Sequence, residues 1–204
     1  KYASNPVFNL GAANDWDDYH VQAGTIINDG GTYKMWYKGY DGAVWRIGYA
    51  TSSDGITWTR YAGNNCAGTT GNGCIMDKGA AGAWDATSVE QPRVLKDGAT
   101  YKMWYRGNNG TTMRIGYATS ADGIAWTRNT GNNCGLTGDG CIFNVGAAND
   151  WDDLYVNATN VIKDGATYKM WYSGLDGTSW RVGYITSPDG ITWTRYAGNT
   201  CSGT

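Results

Sequence analysis

Residues 33–60 read YKMWYKGYDGAVWRIGYATSSDGITWTR, and the chain writes nearly the same line twice more, at 101–128 (YKMWYRGNNGTTMRIGYATSADGIAWTR) and at 168–195 (YKMWYSGLDGTSWRVGYITSPDGITWTR). The match extends outward in both directions. Upstream, Trp16, Trp84 and Trp151 open equivalent Trp-Asp dipeptides; downstream, Cys66, Cys134 and Cys201 follow at matching offsets. Each series is spaced 68 and then 67 residues, a single deletion that falls in the cysteine loop. A fixed period of this length marks a chain of stacked supersecondary units. It assigns 1–68, 69–136 and 137–204 as three repeats of one continuous domain.

Turn signals divide each repeat into short strands. In the first, Val21 to Ile27 runs into NDGG, Thr32 to Lys38 into GYDG, Trp45 to Thr51 into SSDG, and Thr57 to Tyr61 into the long cysteine loop. Asp-Gly between β-branched or aromatic runs is the strongest short-range hairpin signal. The composition agrees: 11 Trp and 15 Tyr against 2 Phe, with 31 Gly and 3 Pro, favours strands of flat side chains joined by glycine turns. Alternation puts Tyr33, Met35 and Tyr37 on one face and Lys34 and Trp36 on the other, so both faces carry large side chains. A sheet apolar on both faces must be covered on both, which radial stacking of identical sheets provides. The expected fold is all-β: three four-stranded antiparallel β-propeller blades in tandem, a partial or open propeller.

With 16 basic and 18 acidic residues the net charge is −2 and the pI about 5.3, which leaves no electrostatic footprint for nucleic acid. No segment approaches the roughly 18 continuous apolar residues that span a membrane, so a membrane is not an expected partner either. Cys66 and Cys74 bracket CAGTTGNGC, and Cys134 and Cys141 bracket CGLTGDGC; each glycine-rich loop is one that a disulfide closes. This is the cysteine usage of an oxidising compartment and points to an extracellular or secreted protein. Zinc spacings such as CxxC are absent and the single histidine, His20, lies far off in sequence.

The strings YKMWYKGYDG, RIGYATSSDGITWTR and NPVF resemble the blades of the five-bladed propeller shared by the arabinanase, levansucrase, invertase and mannoside phosphorylase families. The resemblance covers almost the whole chain, and TSxDGIxW also resembles a sialidase Asp-box shortened by one residue. It implies a carbohydrate-active fold. In those glycosidases, carboxylates on inner strands of different blades act as acid and as base or nucleophile, at roughly 5 to 9.5 Å separation.

Three copies in one chain permit an internal comparison. Asp17, Asp85 and Asp152 of the Trp-Asp pairs, Arg46, Arg114 and Arg181, and the turn aspartates Asp54, Asp122 and Asp189 all recur, and read as framework. One reading of the Trp-Asp carboxylates is that each pairs with an invariant Lys or Arg of its own blade. Divergence concentrates on the first strand, which in a propeller is innermost: DDYHVQAGTII, DATSVEQPRVL and DDLYVNATNVI. There His20 matches Ser88 and Tyr155, Gln22 matches Glu90 and Asn157, and Thr25 matches Arg93 and Asn160. His20, Gln22, Glu90, Arg93, Tyr155, Asn157 and Asn160 are therefore the candidate ligand-binding residues, and His20, Gln22, Tyr155 and Asn157 are expected to face one channel or groove. Glu90 is the one carboxylate at its position and the candidate acid, paired with an Asp such as Asp18 or Asp153. Without a bulge, Glu90 and Arg93 point to opposite faces. No cofactor and no metal are expected, the acidic clusters at Asp15, Asp17 and Asp18 and at Asp150, Asp152 and Asp153 lacking the spacing of a calcium loop. Asn109-Gly110-Thr111 and Asn157-Ala158-Thr159 match glycosylation sequons, with Asn109 in a turn.

Near-identical blades point to a structural, assembly or carbohydrate-binding repeat module; the alternative is a glycoside hydrolase or phosphorylase with Glu90 as acid. Known propellers close with four to eight blades, and three repeats fall short. Cys201 stands without a partner in the sequence, while Pro6 occupies the place of a second loop cysteine. The expected partners are other copies of the chain or a continuing repeat array, as an oligomer or filament, and glycans.

Overall fold

A computed structural model describes residues 3–198, and all regular structure in that span is β. The first repeat contributes β1 (His20–Asp29), β2 (Thr32–Tyr40), β3 (Trp45–Ser52), β4 (Thr59–Arg60) and β5 (Cys74–Met76). The second contributes β6 (Ser88–Asp97), β7 (Thr100–Asn108), β8 (Met113–Ser120), β9 (Thr127–Arg128) and β10 (Cys141–Phe143). The third contributes β11 (Tyr155–Asp164), β12 (Thr167–Leu175), β13 (Trp180–Ser187) and β14 (Thr194–Arg195). The expected four-strand meander is present in each repeat. Two features depart from expectation. A short strand, β5 or β10, returns from the cysteine loop and pairs antiparallel with β3 or β8, although β5 lies past the expected boundary at residue 68. A parallel bridge, Tyr155 to Met113, also fuses the second and third meanders into one nine-stranded sheet beside the five-stranded sheet of the first.

The hairpin ends are built as their sequences dictate. Asp54 Oδ1 accepts the amides of Ile56 (2.8 Å) and Thr57 (2.7 Å) while Ser52 Oγ accepts that of Gly55 (2.8 Å). Asp122 with Ser120, and Asp189 with Ser187, repeat the arrangement. The Trp-Asp dipeptides do more. Asp17 meets Arg60 at 2.9 Å and accepts the Tyr37 hydroxyl at 3.0 Å. Asp85 and Asp152 do the same with Arg128 and Tyr105 and with Arg195 and Tyr172. The pairing of each Trp-Asp carboxylate with a cation of its own repeat is thus realised, by the arginine at the end of the DGIxWTR strand. Trp16 lies flat on the sheet, where a Cβ on Gly39 or Gly48 would stand 2.4 or 2.5 Å from its ring, and donates its indole N–H to Asn72 O in the disulfide-closed loop. Trp84 is held likewise by Asp139 O. Disulfides join Cys66 to Cys74 and Cys134 to Cys141; Cys201 lies outside the described residues.

The hydrophobic core sits between repeats. One cluster joins Trp36, Ile47 and Tyr49 to Trp84, Val89 and Tyr101; a second joins Trp104, Ile115 and Tyr117 to Val156, Tyr168 and Met170. The Lys/Trp face of one meander packs on the Tyr/Met/Tyr face of the next, as the alternation requires. Trp36 Nε1 donates to Gly123 O (2.8 Å), and Trp104 Nε1 donates to Gly190 O (2.9 Å). At the turn after β1, Asp29 accepts from Lys34 of its own repeat and from Lys96 and Tyr101 of the next. Asp97 makes the same clasp with Lys102, Lys163 and Tyr168. In the third repeat the corresponding face is bare: Trp171 is 37% exposed where Trp36 and Trp104 are 0%, and Trp180, Val182 and Tyr196 are exposed beside it.

Because the cost of truncation follows burial, Trp104→Ala should lower unfolding stability by about 3 to 5 kcal/mol and Trp171→Ala by about 1 kcal/mol or less. Urea denaturation of the two variants measures this, and equal losses would contradict the interfacial core. The turn aspartates give a pH dependence. Burial opposes them, but the amide donors of Thr192 and Ile191 and the Ser187 hydroxyl outweigh it and hold Asp189 at about 2; Asp54 and Asp122 are lowered by the same donors of their own turns. A lowered folded value means stability present above the unfolded carboxyl value near ~4 and lost as pH falls toward ~2. Thermal melting between pH 5 and pH 2 should show this decline, shallower in Asp189→Asn, which keeps an acceptor but cannot titrate.

Candidate functional site

The first strands β1, β6 and β11 each pair antiparallel with the second strand of their repeat, β11 also bridging to β8 through Tyr155, and a bulge interrupts each of them. In β6 the bulge falls between Glu90 and Arg93, with Gln91 at φ 53° and Pro92 beside it. Proline is suited to such a position, since the bulge demands no ladder amide from it. The bulge also overturns the simple alternation that would send Glu90 and Arg93 to opposite faces.

Glu90, the chain's one glutamate, is buried at 3% exposure. Its Oε2 lies 2.6 Å from Arg106, the residue opposite it on β7, and 3.4 Å from Lys38, which reaches over from β2 of the first repeat. Its Oε1 accepts the Ser88 hydroxyl at 3.4 Å. Lys38 lies 4.2 Å over the Trp45 ring. Burial pulls the Lys38 amine below its ordinary range; Glu90 resists this, while Arg106 and Arg93 add to it.

Arg93 proves to be a staple. Its Nε donates to Thr159 O of β11 (2.6 Å) and its Nη1 to Gly24 O of β1 (3.0 Å), so one guanidinium ties the inner strands of all three repeats through carbonyls that no ladder uses. Thr25, its counterpart in the first repeat, accepts the Val94 amide and donates to Pro92 O. Asn157 joins the same corner, donating Nδ2 to Gln91 Oε1 at 2.6 Å.

The remaining candidates do not converge on one channel. His20 is exposed and stacks on Trp45 (5.9 Å, 9°) and Tyr40 (6.0 Å, 20°). Tyr155 stacks on Trp180 in the third repeat (6.3 Å, 27°). Gln22 pairs with Lys38 in the ladder and lines a groove with Val7, Phe8, Met35 and Trp58. Asn160 is exposed on β11 opposite Trp171. Asp18 and Asp153, the suggested second carboxylates, accept the amides of Asn14 and Asn149 in left-handed turns and so serve the backbone. Asp15 and Asp150 do likewise for Ala12 and Ala147. Asn109 sits exposed in its turn with Oδ1 accepting the amides of Thr111 and Thr112. Divergence on the first strand does not reach Lys38 and Arg106; they lie on the second strand, which itself diverges at two positions of one face, where Lys38, Arg106 and Ser173 and then Tyr40, Asn108 and Leu175 align. Among the described residues, no group of three or more His, Cys, Asp or Glu side chains is placed to hold a metal ion.

No family model matches the chain. The uncharacterized proteins Rv1502 and MT1551 of two Mycobacterium tuberculosis strains, H37Rv and CDC 1551, are each 29% identical to it over 202 residues. The match covers 93% of this chain and 59% of either relative, so the chain spans about three fifths of their length. A family 117 glycoside hydrolase of Zobellia galactanivorans superposes with a TM-score of 0.71 at 16% identity, covering 94% of this chain and 59% of that one. A structure described under the GH130 family of mannoside phosphorylases, with glycoside hydrolases that target β-1,2 mannosidic linkages in Candida mannan, gives 0.63 at 20%, covering 98% and 58%. BT0996 in its RGII complex gives 0.66 at 20%, covering 95% and 61%. These likenesses establish the fold, that of glycoside hydrolase-type propellers.

Removing one partner of a buried ion pair leaves the other charge uncompensated. Glu90→Gln should therefore cost about 3 to 5 kcal/mol in urea denaturation, and Asn157→Ala, half-buried and neutral, about 1 kcal/mol.

Proposed function

We infer that the chain supplies three blades of a carbohydrate-processing propeller, a glycoside hydrolase or glycoside phosphorylase of the five-bladed class, each blade being one of the repeats. The observation that carries this reading is the Glu90 corner: in a fold shared with glycoside hydrolases, adjacent repeats bring one buried carboxylate and two cations together. Polar groups this deep in an apolar fold are costly unless fully paired, and here Arg106 Nε is left unpaired. Beside them, the rings of Trp45, Tyr40 and His20 offer the flat apolar surface on which the C–H face of a sugar rests.

Glu90 has both oxygens engaged, so its first role is to hold Arg106 and Lys38, and proton donation to a glycosidic oxygen requires that those contacts give way. The bare Trp171 face is suited to a further repeat of the same kind, in a continuing array or another copy, whose Asp-Gly carbonyl would receive the indole N–H. The two disulfides are compatible with an extracellular site of action.

Incubation with arabinan, fructan and mannan oligosaccharides, with and without inorganic phosphate, tests the reading. Cleavage or phosphorolysis of at least one is expected, falling at least ~100-fold in Glu90→Gln checked for folding by circular dichroism. Glycan binding without turnover, unchanged in Glu90→Gln, would instead favour a binding module.

A further inference from the structure

The Glu90 corner is unbalanced in charge. Lys38, Arg106 and Arg93 act on one another there, against a single carboxylate. Arg93 spends its donors on backbone carbonyls, but the other two cations are incompletely used. Arg106 Nε is buried without a hydrogen-bond partner. Lys38 stands 3.4 Å from Glu90, longer than the roughly 2.7 to 2.9 Å of a well-made charge-assisted bond, and an ammonium has three donors. Burying positive charge in excess is unfavourable unless an anion arrives to match it.

The excess is also local. The net charge of the chain is −2, and at this inward position of the second strand a cation occurs in the first and second repeats only, the third carrying Ser173. Both cations thus meet at one corner, and Lys38 ties that corner to the aromatic stack, since it lies over the ring of Trp45 on which Tyr40 and His20 are piled. A charged sugar residue presents an acid group beside an apolar ring face.

We propose that Lys38 and Arg106 form an oxyanion subsite beside the Trp45, Tyr40 and His20 platform, and that the ligand it takes is an acidic glycan whose carboxylate meets the two cations while its ring lies on the aromatic stack. The proposal rests on the carbohydrate-active reading above and adds the charge class of the sugar. The arrangement needs no bond making or breaking; it selects by pairing buried cations. Free phosphate offers the same oxygen chemistry without a ring.

Titration calorimetry with tri-galacturonic acid, its fully methyl-esterified form and inorganic phosphate separates the sources. The expected result is at least tenfold tighter binding of the acid than of the ester. That preference is lost in Lys38→Gln and restored in Lys38→Arg, and it weakens as salt rises. Phosphate bound alone with millimolar or better affinity, with no preference for acid over ester, would overturn the glycan assignment. Equal binding of acid and ester, or a preference that Lys38→Gln leaves intact, would overturn the subsite. If neutral glycans are cleaved while the acid gains nothing, the carbohydrate-active reading stands and the subsite falls.

Discussion

The bond from a tryptophan indole to the turn carbonyl of the next repeat is the contact on which the rest of the molecule depends. Trp36 reaches Gly123 and Trp104 reaches Gly190, each from the centre of a strand that has large side chains on both faces. Such a strand has no solvent side. It is stable only where another sheet lies on it, and the indole N–H, buried with its ring, needs an acceptor that the neighbour alone provides. Every other inter-repeat feature is arranged around this requirement. The aspartate clasp holds the turns after the first strands, and the Arg93 staple holds their bulges.

The same requirement made the fold legible in the sequence. Regular Asp-Gly turns fixed the hairpins, and the identity of the YKMWY strands exposed a need for cover on both faces. The pairing of Asp17 with Arg60 was within reach because both recur in every repeat. What escaped was whatever depended on a departure from regular alternation. The bulge at Gln91 reverses the simple parity of Glu90 and Arg93, and no local signal other than Pro92 announces it. The return strands β5 and β10 are three residues each, too short for a pattern, and they form because the disulfide brings the far end of the loop back against β3 and β8.

The site was legible only in part, for a related reason. Divergence among repeats singled out Glu90, Asn157 and Arg93, and these three do gather at one corner. Comparison of single strands could not reveal that Lys38 comes to Glu90 from another repeat, because the contact is set by the angle between sheets. Tyr155 diverges equally but is held in a stack of its own repeat, by Trp180. Divergence reports that a position is free of framework duty, not that it shares a destination.

Arg93 also bears on the history of such a chain. Tandem repeats this alike are ordinarily interchangeable: a duplication, a deletion or a cyclic reordering yields another array of the same parts. Here the middle repeat holds the guanidinium that reaches both neighbours, while the flanking repeats have Thr25 and Asn160 in its place. An exchange with the first or third repeat would put threonine or asparagine where the arginine now bridges Gly24 and Thr159. The three repeats have therefore become ordered, and shuffling among them is closed off even though their strands remain nearly identical.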